Sequence, residues 1–367
     1  MDIQPAVAQR AGVGRYVKCL AERLGAHAGE DQLRLYYFDF RRRGLDFSCD
    51  GAELHAVRWV PGAFVQQSWK RLSWPPVDWI AGPSDLYHFT NFIRPPLRRG
   101  RSIVTIYEVS FLRFPEAAEP ANLAYLEARI QETVNRSDAI LTISTCSKEE
   151  ISKDLGVGRD RIFIVPPGLS PTLRPPDAQA IEAARKACGL DAPYLLFVAT
   201  LEPRKNISFL VDVFDALESF DGDLVLAGKP GWKVEPILDH IEASNRRTRI
   251  RRLDFVDDAH LPGLYGGASC FVFPSLHEGF GFPPLEAMAC GAPVVASNRG
   301  ALPETLGDAA VILDSFERDA WVERIGHLLA DETERARRRE LGFTQAGRFN
   351  WDKAARATWD IYRTVAA

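Results

Sequence analysis

The chain has 367 residues, 46% hydrophobic and 26% charged, which excludes a mainly disordered polypeptide and, at roughly 100–200 residues per domain, points to about two domains. Its 45 basic and 49 acidic residues leave a net charge of -4, without the basic excess of a dedicated nucleic-acid binder. No apolar run reaches the roughly 18–20 residues that span a bilayer, and no basic flank with an apolar core marks a signal peptide.

Short apolar runs alternate with amphipathic segments. Strands are predicted near 33–38, 85–89, 102–107, 138–143 and 161–165, with helices near 14–27, 119–136 and 147–155. Met1-Asp2-Ile3 is too short for the strand that normally opens such a unit, so the first strand is expected to be missing or to lie upstream. The run PPGLSPTLRPP at 166–176 continues neither helix nor central strand and places the domain division near residue 175. Beyond it, strands are predicted near 194–199, 223–227, 249–256, 269–273, 293–296 and 309–313. Helices are predicted near 177–188, 206–219, 234–245, 284–290 and 317–330. Strand–helix alternation twice over predicts two parallel-sheet α/β units. The six cysteines form no C-x-x-C pair and no zinc spacing, and read as reduced thiols.

Three segments carry chemistry. In PSLHEGFGFPPLEAMACGAPVVAS (274–297), Glu278 ends a loop after a strand and Gly279 and Gly281 permit close backbone approach. Pro283 and Pro284 start a helix bearing Glu286. Such a glycine loop and helix start suit a phosphate or polar ligand; Glu286 can accept from a ribose diol and Glu278 from sugar hydroxyls. In YLLFVATLEPRKN (194–206), Arg204 and Lys205 follow a buried strand, where a cationic pair suits a diphosphate. Gly12-Val13-Gly14 opens a helix and would bring backbone close to a donor phosphate or an acceptor. His88 and the pair Tyr107-Glu108 end strands of the first domain and are expected to face a crevice on the acceptor side. Asp221-Gly222-Asp223 precedes a strand and reads as a turn rather than a metal site. The stretch 59–79, with Trp59, Trp69, Trp74, Trp79, Lys70 and Arg71, is either a helix packing its aromatics inward or a contact with a membrane interface or a lipid-linked acceptor.

Taken in order, LEPRKN (201–206), AGKPGW (227–232), the 273–297 segment, LPE (302–304) and the closing FNWDKAARATWDIY resemble the family-4 retaining glycosyltransferases, and among them the mannosyltransferases. The resemblance implies a GT-B fold: two Rossmann-like domains facing across a cleft, residues 1–175 on the acceptor side and 176–349 binding the nucleotide sugar, with a terminal helix at 350–367 crossing back to the first domain. It implies that Arg204 and Lys205 neutralise the leaving diphosphate. Glu278 would meet the donor sugar beside the amides of Gly279, Phe280 and Gly281, and Glu286 the ribose. The amide of Leu285 would help to hold phosphate, and backbone at Phe255 and Val256 would frame the base. The implied reaction needs no metal or other cofactor. Its donor is a GDP- or UDP-sugar, most closely GDP-mannose, and its acceptor a glycan or lipid-linked saccharide in surface polysaccharide synthesis. The implied location is cytoplasmic, peripheral at the inner membrane face. The family pattern has His-Asp where this chain has Tyr107-Glu108, and a glycine where it has Asp254. A nucleotide-sugar isomerase or hydrolase of the same fold, and a non-catalytic sugar-nucleotide-binding partner, are the competing readings.

Overall fold

The computed structural model describes residues 1–8 and 12–367. It divides into two compact units: Met1–Leu112 with Pro120–Gly168 and Asn350–Ala367, and Arg113–Glu119 with Leu169–Phe349. The division thus follows Gly168 rather than residue 175. Among the described residues no helix is long and apolar enough to cross a membrane.

The first unit holds β1 (Leu33–Phe38), β2 (Ala52–Val57), β3 (Leu86–Phe89), β4 (Arg101–Thr105), β5 (Ala139–Thr142) and β6 (Ile162–Ile164). β1 pairs with β2, and β3 to β6 run side by side in chain order, all parallel. Among the described residues no strand precedes β1, in keeping with the expectation that the first strand is missing; a single isolated bridge stands in its place. Asp2 bridges Tyr36 in parallel, Ile3 N donates to Tyr36 O at 3.0 Å, and Asp2 N donates to His88 O at 2.9 Å. Met1–Ile3 therefore lie between β1 and β3, next to a cavity of about 440 Å³ lined by Met1, Leu33, Arg34, Asp85 and Leu86. Ile3 is fully buried there.

The helix Trp351–Ala366 lies within this unit. Its Trp359 indole donates to Leu24 O at 2.8 Å, its Arg363 pairs with Asp31 at 2.9 Å, and Asn350 caps its start. Gly168 packs on the backbone of this helix start, where a Cβ would come within 2.3 Å of Trp351 N.

The second unit holds β7 (Tyr194–Val198), β8 (Asp223–Ala227), β9 (Ile250–Leu253), β10 (Cys270–Phe273), β11 (Val294–Ser297) and β12 (Val311–Leu313). All are parallel, in the order β12-β11-β10-β7-β8-β9. The continuous apolar runs YLLFV, DLVLA and CFVF are covered on both faces, as parallel strands must be. β9 stops at Leu253, short of the expected 256. From β7 the chain proceeds outward through β8 and β9, then returns to place β10 on the other side of β7. The two central strands thus form the topological switch point at which α/β sheets bind ligands, beyond the strand C-termini.

Candidate active site

The loops that leave β7 and β10 meet at this switch point. After β7, Pro203–Lys205 form one 3₁₀ turn, and Asn206 in the left-handed region (φ 56°) redirects the chain into the helix Ile207–Ala216. This turn aims Arg204 and Lys205 at the loop after β10. Lys205 Nζ donates to Glu278 Oε1 at 2.5 Å, and Arg204 Nη1 lies 3.3 Å from Glu278 Oε2. Ser275 Oγ adds a hydrogen bond to Oε1 at 2.6 Å. Arg204 also donates to Glu202 Oε1 at 2.9 Å and to the His277 carbonyl at 2.5 Å. Backbone bonds lock the two loops together, with Leu276 N donating to Arg204 O at 2.8 Å.

Burial would push the Glu278 carboxyl up, but the Lys205 ammonium and the Arg204 guanidinium, with hydrogen bonds from Lys205 and Ser275, hold it down at about 2. Glu278 is ionised throughout the neutral range. Two cations here face two carboxylates, Glu202 and Glu278, so an arriving diphosphate would meet guanidinium and ammonium groups already held in place.

Glu278 is also fixed from the loop after β11. Ala301 N donates to Glu278 O at 2.8 Å, and Gly300, at φ +60°, lies so close that a Cβ would come 2.2 Å from Glu278 O. Gly281 adopts φ 96° and forms the N-cap of the helix Phe282–Ala289. Phe280 is buried between Phe282 and Phe349, at ring distances of 5.0 and 5.3 Å. Leu285 departs from its expected role, because its amide donates to Gly281 O at 3.4 Å inside the helix. Since Pro283 and Pro284 carry no N–H, the donors this helix start can offer a phosphate are limited to Phe282 and the Gly279–Gly281 loop. Glu286 is buried on the helix and its Oε2 accepts from Tyr265 O–H at 2.9 Å. After β9, Phe255 is largely exposed, with Lys229 Nζ 5.8 Å from its ring, and Val256 follows it in the same loop.

Residues 113–119 join the same end of the second unit. The Phe114 ring lies 5.7 Å from His277, Trp232 Nε1 donates to Ala117 O at 2.5 Å, and Lys233 donates to Glu116 O.

In the first unit, two expectations are corrected. His88 is buried, and its ring nitrogens pair with Tyr362 O–H at 2.5 Å and Thr105 Oγ1 at 2.7 Å. Burial pushes its imidazole down to about 3, so it is a neutral core residue joining β3 to the terminal helix rather than a group facing an open crevice. Tyr107 is buried too, donating to Thr90 O at 2.8 Å and meeting Tyr16 edge-on at 5.2 Å. Its larger ring fills core space. Glu108, half-buried, accepts from Ser110 Oγ at 2.6 Å. Gly12 (φ 57°) is exposed with open space at its Cβ position, and Gly14 is buried in the first turn of the helix Val13–Leu24. Motif reading missed Glu202, Ser275, Tyr265 and Gly300. Glu202 and Ser275 sit inside the motifs, but nothing in the sequence marks the other two as neighbours of the glutamates.

Comparison with known proteins supplies the family. Residues 180–344 match the model of the glycosyl transferases group 1. The chain is 34% identical over 284 residues to the O-antigen chain mannosyltransferase B of Escherichia coli, covering 76% of this chain and 74% of that protein. The chain belongs to the group 1 glycosyl transferases. Sucrose-phosphate synthase from Thermosynechococcus elongatus superposes on this group 1 glycosyltransferase with a TM-score of 0.76 at 21% identity, over 97% of this chain and 94% of that one. Anabaena Alr3699/HepE, in a complex with UDP and glucose, gives a TM-score of 0.73 at 16% identity, over 98% and 97%. Its fold is GT-B, with two Rossmann-like units.

Proposed function

We propose that this glycosyltransferase moves mannose from GDP-mannose, with retention, onto a glycan or lipid-linked saccharide in the synthesis of a bacterial surface polysaccharide, working in the cytoplasm. The observation that carries the reaction class is the buried Arg204–Lys205–Glu278 cluster at the switch point of the second sheet. The choice of mannose is supported by the 34% identity to an O-antigen chain mannosyltransferase.

On this reading the donor diphosphate lies against Arg204 and Lys205, with Gly279–Gly281 amides beside it and the ribose at Glu286. As the glycosidic bond breaks, charge grows on the departing phosphate. The two cations stabilise that charge without a metal ion, and losing one such donor costs about 10²–10³ in rate. Both Glu278 oxygens are engaged by the cations, so Glu278 orients them and retains lone pairs for a donor-sugar hydroxyl. Retention follows if the acceptor hydroxyl attacks on the face the diphosphate leaves and a phosphate oxygen takes its proton.

The test is a thermal-shift panel of GDP, UDP, GDP-mannose and UDP-sugars, followed by product analysis with and without a saccharide acceptor. A ligand at about 100 times its dissociation constant adds roughly 2.7 kcal/mol. A response to GDP compounds with acceptor-dependent formation of an α-linked product supports the reading. A UDP-only response discards mannose from GDP-mannose as donor. Turnover of the sugar nucleotide at full rate without acceptor overturns the transferase assignment.

A further inference from the structure

Two exposed aromatic rings stand where neighbouring parallel strands of the first unit finish. β1 ends at Phe38 and β2 at Val57, which pair in register and face a small core. Pairing runs on for one more residue: Asp39 N donates to Val57 O at 2.9 Å, and the Asp39 carboxylate meets Arg58 Nε at 3.3 Å. Phe40 and Trp59 follow this ion pair directly and are 51% and 68% exposed. They leave the sheet at one place, beyond the strand C-termini, where α/β sheets take their ligands. From Met1–Ile3 the chain passes outward through β1 to β2 and returns to β3 on the other side, so the switch point of this unit lies beside Met1–Ile3. β1 and β2 stand one and two strand spacings from it, about 5 and 10 Å.

The turn that carries Phe40 is shaped by Asp39, which is buried. Its Oδ1 accepts from Arg43 N at 2.7 Å, its Oδ2 from Gly44 N at 3.3 Å, and its carbonyl from Arg42 N at 2.9 Å. Arg42 is thereby held in the left-handed region at φ 54°, a strained conformation for a residue other than glycine. The turn presents Arg41, Arg42 and Arg43, all exposed, and among the described residues none of them pairs with a carboxylate. Farther along the loop, Lys18 Nζ of the helix Val13–Leu24 lies 5.2 Å from the Phe47 ring and ties the loop to that helix. Aromatic faces and guanidinium forks are thus fixed side by side on one rim.

We propose that Phe40, Trp59 and the three arginines form a subsite for an anionic saccharide. A pyranose ring lays its C–H face on an aromatic face, and the arginine forks take a phosphate or carboxylate group of the same chain. Arg41, Arg42, Arg43 and Arg58 against the buried Asp39 leave the rim positive, which complements such a chain and repels a second copy of this face. The inference rests on the transferase reading in one respect: the bound sugar belongs to the acceptor, one or two strand spacings from its reacting hydroxyl. It draws on no residue of the second unit.

The test is isothermal titration of the full chain at about 0.1 M salt with α-linked mannotetraose, the same tetraose bearing a reducing-end phosphate, and a tetraose ending in mannuronate. An anionic probe is expected to bind about ten-fold or more tighter than the neutral one, the worth of a charged hydrogen bond, and the tighter of the two identifies the anion. Arg41→Ser/Arg42→Ser/Arg43→Ser should bring that probe to the level of the neutral one. Trp59→Ala should weaken all three probes about five-fold or more. Each variant should keep the melting temperature and the nucleotide-induced shift of the wild type. Equal binding of charged and neutral probes by the wild type overturns the proposal, as does wild-type binding by either variant. Binding to phosphatidylglycerol vesicles but to no saccharide, lost in the arginine variant, also overturns it and gives the rim to lipid. Tight binding of an anionic probe by a wild type without a nucleotide-induced shift upholds the subsite and discards the transferase reading.

Discussion

The Lys205 ammonium and the Glu278 carboxylate, 73 residues apart in sequence, are joined at 2.5 Å in the interior of the second unit. The pair couples the loop after β7 to the loop after β10, so the cation expected to meet the donor and the carboxylate expected to meet its sugar are one electrostatic object. Either residue alone is a buried charge.

Lys205→Met is therefore expected to act on stability as well as on rate. Leaving Glu278 with Arg204 as its remaining cation should cost about 3–5 kcal/mol of unfolding free energy, and turnover should fall about 10²–10³-fold. Lys205→Met/Glu278→Gln should recover part of the stability and none of the activity. Urea unfolding of the two variants and their rates with donor and acceptor check both halves.

Gly300→Ala places a Cβ 2.2 Å from the Glu278 carbonyl oxygen, against backbone, in a residue with φ +60°. The loop must shift to relieve it. A loss of about 1–3 kcal/mol of stability is expected, with donor affinity reduced at least several-fold through displacement of Glu278. Isothermal titration with the nucleotide and a thermal melt measure the two effects.

Tyr265→Phe removes the hydroxyl that donates to Glu286 Oε2 at 2.9 Å. A hydrogen bond to a charged group contributes about 1.5–3 kcal/mol, and its loss frees Glu286 to rotate. The donor KM should rise while kcat stays within about two-fold of wild type, because ribose binding is common to the ground and transition states. Steady-state kinetics with varied donor separates the two parameters.

His88 sets part of the acid limit of stability. Its imidazole sits at about 3 in the fold and at 6.5 when unfolded. A group lowered on folding contributes fully above 6.5, and the contribution is lost as pH falls towards 3, at up to about 1.4 kcal/mol per pH unit. Glu278, held at about 2 against 4.5 unfolded, adds its own loss only below about 4.5. His88→Gln should flatten the stability profile between pH 6 and 4.5. Urea midpoints across that range test it.

The parallel strands were legible because apolar runs such as YLLFV and CFVF, bounded by turn residues, leave few other structures open to them. The polar strand Ala52–Val57 was not, since Glu53 and Leu54 are exposed and its apolar pattern is broken. The helix Glu332–Ala346 was missed for a similar reason: Arg337 and Arg338 both pair with Glu334 on a solvated face, so it carries little apolar periodicity. At the site, LEPRKN and HEGFGFPPLE marked the residues, and β7 beside β10 explains why they meet. The hydrogen bonds of Lys205 with Glu278 and Tyr265 with Glu286 depend on side-chain packing that no local pattern encodes. His88 and Tyr107 misled because a polar residue at a strand end can point into the core as readily as out of it, and there Tyr362, Thr105 and Thr90 satisfy them.

The seven residues Arg113–Glu119 belong to the second unit although both their chain neighbours belong to the first. The second unit is thus spelled in two separate stretches of the gene. A recombination that exchanged residues 169–349 between related chains would bring in Trp232, Lys233 and His277 while leaving behind the backbone carbonyls and the Phe114 ring they meet. Chimeras built by swapping whole halves should therefore work when the short stretch travels with its half, and fail more often when it does not.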